Sequence, residues 1–223
     1  MAQQQQNITL AAPGFMGVNT QDSPITQAPE FCAVADNCII DRYGRIGARK
    51  GHSVLTATKT ALGSATITAV HEFVAHDGTK VVFSTGNNKI FSGVGTLVDI
   101  TPASFTVTAD DWQIVTLNDY CYFFQSAHEP LAYKHSSTTL DEISAVAGYN
   151  GTAPEANTVI SAYGRLWAAD IVANKYTVYW TDLLIGHAWA GTSGGSIDIT
   201  DVWPNGDDEI VALAAHNNYL LIF

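Results

Sequence analysis

From Ala65 onward, short runs of Val, Ile, Phe, Tyr and Trp alternate with Gly, Asn and Asp turns. No stretch sustains a 3.6-residue apolar period for three turns, so the pattern predicts strands and almost no helix. One hairpin recurs four times. Its copies are 68–74 with 80–84 around Asp77-Gly78, 112–117 with 120–124 around Asn118-Asp119, 159–162 with 165–169 around Tyr163-Gly164, and 210–215 with 219–223 around Asn217-Asn218. The turns lie 41, 45 and 54 residues apart. In the first three copies a further apolar segment follows (89–91, 131–133, 177–180), and an acidic strand or loop closes the unit (97–100, 140–143, 197–200). Four strands every 40 to 50 residues is the rhythm of a β-propeller blade, a sheet that cannot cover both of its own faces and so needs neighbours. A β-sandwich would show similar strands without a fixed period. The expected fold is all-β, with β-propeller-like repeats of short antiparallel strands over residues 65–223. The fourth hairpin stops at Leu221-Ile222-Phe223 with both strands apolar. Three and a half blades do not close a ring, so the expectation is that the sequence continues beyond Phe223 or that another polypeptide completes the edge.

Residues 1–64 read differently, as an extended N-terminal arm ending in a hairpin. Pro13, Pro24 and Pro29 punctuate it with turn chemistry. Residues 30–37 read as one or two helical turns after Pro29. Residues 38–41 then read as a short strand, Tyr43-Gly44 as a tight turn and 45–49 as the returning strand. The apolar residues of this arm share no periodic face, so it is not expected to pack as an independent domain.

Composition sharpens the picture. The chain has 223 residues, 47% of them apolar and only 14% charged, against roughly 25% charged in an average soluble protein. Such a low charge content suits a surface largely covered by other subunits. The net charge of −11 is unevenly placed. Residues 1–98 hold seven basic and six acidic residues, whereas 99–223 hold three basic residues (Lys134, Arg165, Lys175) and 15 acidic ones. Four of the ten cations, Arg42, Arg45, Arg49 and Lys50, fall within nine positions and form a basic hook. The acidic remainder argues against wrapping nucleic acid by phosphate neutralisation. Docking of the guanidinium groups onto carboxylates of a neighbouring subunit is the functional reading of the hook, and a solvated surface the plain one. Cys32, Cys38 and Cys121 contain no C-x-x-C and make neither a disulfide framework nor a zinc site. The N-terminus lacks the basic and apolar regions of a secretory signal, and no apolar run reaches the length of a membrane helix.

Candidate chemistry is sparse. His71 and His76 are five apart, not four, so they do not form the helical H-E-x-x-H zinc pair. On a strand that odd spacing sends the rings to opposite faces, which reads as two structural strand histidines. The 191–196 segment, Gly-Thr-Ser-Gly-Gly-Ser, lacks the strand–turn–helix setting of a serine nucleophile and reads as a flexible loop. Asp110-Asp111 and Asp207-Asp208-Glu209 lack calcium-loop spacing and read as solvated turns. No catalytic residue, cofactor site or metal site is expected, and the chain does not read as an enzyme.

The arm carries a resemblance. Ala12-Pro13-Gly14-Phe15-Met16-Gly17-Val18-Asn19-Thr20-Gln21-Asp22-Ser23-Pro24, then Ala35-Asp36-Asn37-Cys38-Ile39-Ile40-Asp41, then Arg42-Tyr43-Gly44-Arg45-Ile46-Gly47-Ala48-Arg49-Lys50-Gly51 resemble the opening of tail nozzle proteins of short-tailed bacteriophages, the tail-tubular-protein-B-like group. The match covers about residues 12–51, and the remainder is similar in repeat style alone. Members of that group are several hundred residues long. The resemblance implies a structural virion protein of the tail, made in the host cytoplasm, whose homo-oligomeric ring of six subunits sits below the head–tail adaptor. It further implies that tail fibres attach in some phages, that DNA passes through the lumen without specific binding, and that this segment makes no membrane contact. The subunit-interface candidates are Arg42, Arg45, Arg49 and Lys50 of the hook with Phe15, Asn19 and Asp22 of the arm. The reading from another class is a tail-associated propeller that binds or hydrolyses carbohydrate, which would need two carboxylates converging among aromatic side chains.

Overall fold

A computed structural model describes residues 14–53, 60–108, 111–137, 139–202 and 208–223. The chain divides into two compact units, Met1–Val54 and Leu55–Phe223. In the first unit β1 (Gly17–Val18) runs parallel to β2 (Phe31–Cys32), and β3 (Cys38–Ile40) pairs with β4 (Ile46–Ala48) in a hairpin. The helical turns expected at 30–37 do not form. The backbone there is engaged by β1 instead: Met16 N–H donates to the Glu30 carbonyl at 2.8 Å and Asn19 N–H to that of Cys32 at 3.0 Å. No side chain in residues 14–53 is fully buried, so this described stretch is held by backbone hydrogen bonds rather than by a core.

The second unit is built of antiparallel sheets, none of them closed. Sheet one is β5 (Ala69–Val74), β6 (Lys80–Gly86), β7 (Lys89–Ser92) and β8 (Val98–Asp99). Sheet two is β9 (Gln113–Leu117), β10 (Tyr120–Phe124), β11 (Leu131–Lys134) and β12 (Leu140–Glu142). Sheet three is β13 (Ala156–Ala162), β14 (Arg165–Ile171), β15 (Thr177–Trp180) and β16 (Gly195–Asp198). Each is a meander in sequence order. A lone hairpin, β17 (Leu213–His216) with β18 (Tyr219–Ile222), follows. Two single 3₁₀ turns, Ile143–Ala145 and Thr200–Val202, are the helical elements among the described residues, none long and apolar enough to cross a membrane. The protein is all-β. The tight hairpins at Tyr163-Gly164 and Asn217-Asn218 place both central residues at positive φ, the geometry whose twist matches the flanking strands.

Alternation along the strands explains the packing. Successive side chains of a strand point to opposite faces. In β10, Cys121 and Phe123 enter a buried cluster with Phe73, Phe83 and Ile90 of sheet one, while Tyr122 and Phe124 enter a second cluster with Leu166 and Ala168 of sheet three. In β14 the other residues reverse the direction: Ala169, with Trp167 beside it, packs toward Ile210, Leu220 and Ile222 of the last hairpin. Both faces of these central strands are covered, which is why they are near-continuously apolar rather than alternating. The rings of Phe83 and Phe123 meet edge-on with centroids 5.2 Å apart. Successive sheets approach most closely along their first strands, β5 to β9, β9 to β13 and β13 to β17. The outer face of sheet one is covered by Leu62 packing on Phe91 and Leu97. The last hairpin keeps one face uncovered, with Val211, Tyr219 and Phe223 largely exposed.

Candidate interaction surface

The basic hook is shaped by Asp41, whose Oδ1 accepts from Tyr43 N–H at 2.8 Å and Arg45 N–H at 3.0 Å. Gly44 turns back with φ 71° and its carbonyl accepts from Phe15 N–H at 2.9 Å. A Cβ at Gly44 would stand 3.2 Å from that nitrogen, so the close approach requires glycine. Phe15 is thereby tied to the hook. Asn19 and Asp22 form a separate turn, in which Asn19 Nδ2 donates to Asp22 Oδ2 at 2.7 Å. Among the described residues no hydrogen bond or ion pair links that turn to the hook. The guanidinium carbons of Arg42 and Arg45 lie 4.8 and 5.7 Å from the centre of the Tyr43 ring, and Arg42 Nη2 donates to Tyr43 Oη at 2.6 Å. The Arg49 N–H donates to the Asn37 carbonyl at 2.8 Å, and its side chain, like that of Lys50, is exposed.

Charge pairing separates the two units. Among the described residues none of the four hook cations pairs with a carboxylate, whereas Lys80, Lys89 and Lys175 of the second unit pair with Glu72, Asp99 and Asp170. Arg165 donates to the carbonyls of Thr181 and Ser193 at 2.6 and 2.7 Å. The uncompensated guanidinium groups therefore gather on the hook. The same unit exposes large apolar side chains: Met16, Val18, Ile25, Val34, Ile39, Ile40, Tyr43 and Ile46, with Ile25 at 94%. Isolated exposed apolar residues are ordinary; here they accompany a stretch, residues 14–53, in which no side chain is fully buried.

In the second unit the polar groups work mainly as fasteners. His71 on β5 bonds through Nε2 to Thr116 Oγ1 on β9 at 2.9 Å, and burial lowers its pKa. His76 is not a strand residue as expected. It lies in the turn after β5, with Nδ1 2.6 Å from Asp119. Among the described residues no three His, Cys, Asp or Glu side chains are placed to hold a metal. Cys121 is buried, Cys32 and Cys38 are half-buried, and all three thiols are free. Asp111, Asp208 and Glu209 are exposed, while Asp110 and Asp207 lie outside the described residues.

The loop expected to be flexible at 191–196 is held by a residue the sequence reading did not single out. Asp182 Oδ1 accepts from Ser193 N–H at 2.7 Å, from Ser193 Oγ at 3.1 Å and from Gly194 N–H. These bonds, the Ser193 N–H first, hold the Asp182 carboxyl below the usual carboxylate range. A Cβ on Gly191 would overlap the same carboxylate, so glycine is needed there. Asp170 was missed as well. It is the penultimate residue of β14, at φ 57° and buried, with Lys175 Nζ on Oδ1 and Asn157 Nδ2 2.9 Å from Oδ2. An acid closing an apolar run with a lysine five residues later was the only local signal.

An open depression of about 290 Å³ lies beside β14 and β15, lined by Thr152, Ala153, Pro154, Glu155, Ile171 and Tyr179. It offers one carboxylate and one aromatic ring, whereas glycoside hydrolysis requires two carboxyl groups flanking the bond. Compared with known proteins, the chain matches no family model, no curated protein and no solved structure.

Proposed function

We propose that this protein is a structural subunit of a short-tailed phage tail nozzle, assembling as a homo-oligomeric ring that forms part of the DNA conduit below the head–tail adaptor. The observation that carries the reading is the N-terminal unit. Its described residues include no fully buried side chain, expose seven large aliphatic or thioether side chains and hold four cations without a carboxylate partner among the described residues. The other unit belongs to the acidic part of the chain, with 15 acids against three bases in residues 99–223. A coreless, cationic, apolar segment gains most of its order from a partner surface of opposite charge, and a second copy of this chain supplies one.

The finer architecture in this reading is a sector of propeller-like blades. Three four-stranded meanders whose nearest approaches run along their first strands support it. So does the covering of both faces of the middle sheets, which makes each blade depend on its neighbours. An acidic wall repels phosphates and keeps DNA moving through rather than adhering. Tail fibres are partners of the same ring. The competing carbohydrate reading rests on Glu155 and Tyr179 of the open depression, one carboxylate short of a hydrolytic pair.

Charge reversal tests the interface. The Arg45→Glu, Arg49→Glu double variant is expected to keep the circular dichroism and melting behaviour of the parent while losing assembly in analytical ultracentrifugation of reconstituted tails. Unchanged assembly would mean that the hook is solvated and the reading of this surface is wrong.

A further inference from the structure

The turn end of the joint between sheets one and two is fastened by two reciprocal pairs. His76, in the β5–β6 turn, sets Nδ1 2.6 Å from Asp119 Oδ2 in the β9–β10 turn, and its backbone N–H donates to Asp119 Oδ1 at 3.1 Å. In the opposite direction His135, directly after β11, reaches Asp77 Oδ2 of the β5–β6 turn with Nε2 at 2.9 Å. Its own N–H donates to the Asp119 carbonyl at 3.2 Å. Each sheet thus contributes one imidazole and one carboxylate. The His76 side chain is 73% exposed, so its proton exchanges freely with solvent.

The other two joints are fastened by groups that burial keeps toward the neutral form or that carry no charge. Sheets two and three share the buried Tyr122 Oη···His187 Nδ1 bond at 3.1 Å, where burial, and then Lys134, lowers the pKa of the imidazole. Sheet three meets the last hairpin through Tyr163 Oη donating to the Tyr219 carbonyl at 2.8 Å and Thr158 Oγ1 donating to that of Val211 at 3.3 Å.

We propose that His76, Asp119, His135 and Asp77 form a pH-gated clasp, closed in mild acid and loosened when the His76 imidazole loses its proton. The hydrogen bond and charge of Asp119 raise the pKa of His76 above its ordinary 6.5. The bonds from His76 lower that of Asp119, and Thr79 N–H, with His135 behind it, lowers that of Asp77. A raised imidazole contributes its fastening below 6.5 and loses it as pH climbs through the folded-state value. Depressed carboxylates contribute theirs above 3.8 and lose it only in stronger acid. The clasp is therefore tightest between those limits. Of the other charged and titratable groups on these strands, Cys121, Tyr122 and Tyr133 are held in their neutral forms by burial. Glu72 and Lys80 pair with each other at 2.8 Å, Lys134 lies 5.7 Å from the Tyr120 ring centre, and burial favours the neutral form of His71. Phe83, Phe123 and Tyr133 keep the two sheets stacked whatever the clasp does, so release loosens the turns and not the core.

Hydrogen exchange read by mass spectrometry tests this on the full chain, at about pH 5.5 and about pH 8.5 with intrinsic rates corrected. Peptides spanning 75–80 and 117–121 should lose protection roughly two- to fivefold at the higher pH, the scale of exposed ion pairs, while the strand interiors of β6 and β10 stay constant. The His76→Gln, His135→Gln double variant should show the same strand protection, which controls for folding, with the turns unprotected at both pH values. Turn protection independent of pH in the parent, or a pH response retained by the double variant, would overturn the clasp.

Discussion

Asp170 shows how a buried charge is accommodated in this protein. Its side chain is only 10% exposed, and burial alone would push its carboxyl upward. The ammonium of Lys175 and the amide of Asn157 more than offset that, leaving the group below the ordinary 3.8. Its contribution to stability is therefore full above that value and declines as pH falls through the folded-state pKa. The pair lies between the exposed case, worth at most about 1 kcal/mol, and the buried case, where removing one partner costs about 3–5 kcal/mol. Lys175→Met is accordingly expected to destabilise the protein by about 2 kcal/mol in urea titrations, with part of the loss restored by adding Asp170→Asn. Equal stability of Lys175→Met and the parent would show that the carboxylate finds water instead.

At the scale of elements, the two units differ in what holds them. Residues 60–223 contain four buried apolar clusters, and residues 14–53 contain none. Removing residues 1–40 should leave the melting temperature of the remaining sheets within a few degrees of the parent by calorimetry while abolishing ring assembly. A collapse of the whole transition would contradict that division. The strands themselves were legible in the sequence, because β-branched and aromatic runs bounded by Asp77-Gly78, Asn118-Asp119, Tyr163-Gly164 and Asn217-Asn218 have no competing helical period. The fastenings were not. His76 and Asp119 are 43 residues apart, and Asp182 and Ser193 are 11 apart across a loop, so their meeting depends on how sheets stack and loops fold back. The 30–37 segment was misread because its pairing partner, Gly17–Val18, is a two-residue strand with no pattern of its own.

For the whole molecule, charge placement decides which partners are compatible. A chain of net charge −11, with its clustered cations confined to residues 42–50, cannot neutralise a run of phosphates along a duplex. Binding of duplex DNA by the isolated chain should be weaker than about micromolar at physiological salt, as expected when cations are few. Sub-micromolar, steeply salt-dependent binding in a fluorescence titration would remove the acidic-conduit argument. In the proposed ring the same charge asymmetry would set the cationic hook of one copy against an acidic surface of the next. Light scattering on the protein released intact from tails tests the central claim most directly. The account predicts a closed oligomer several times the mass of its subunit, six subunits in the proposed ring. A single species of subunit mass would contradict it.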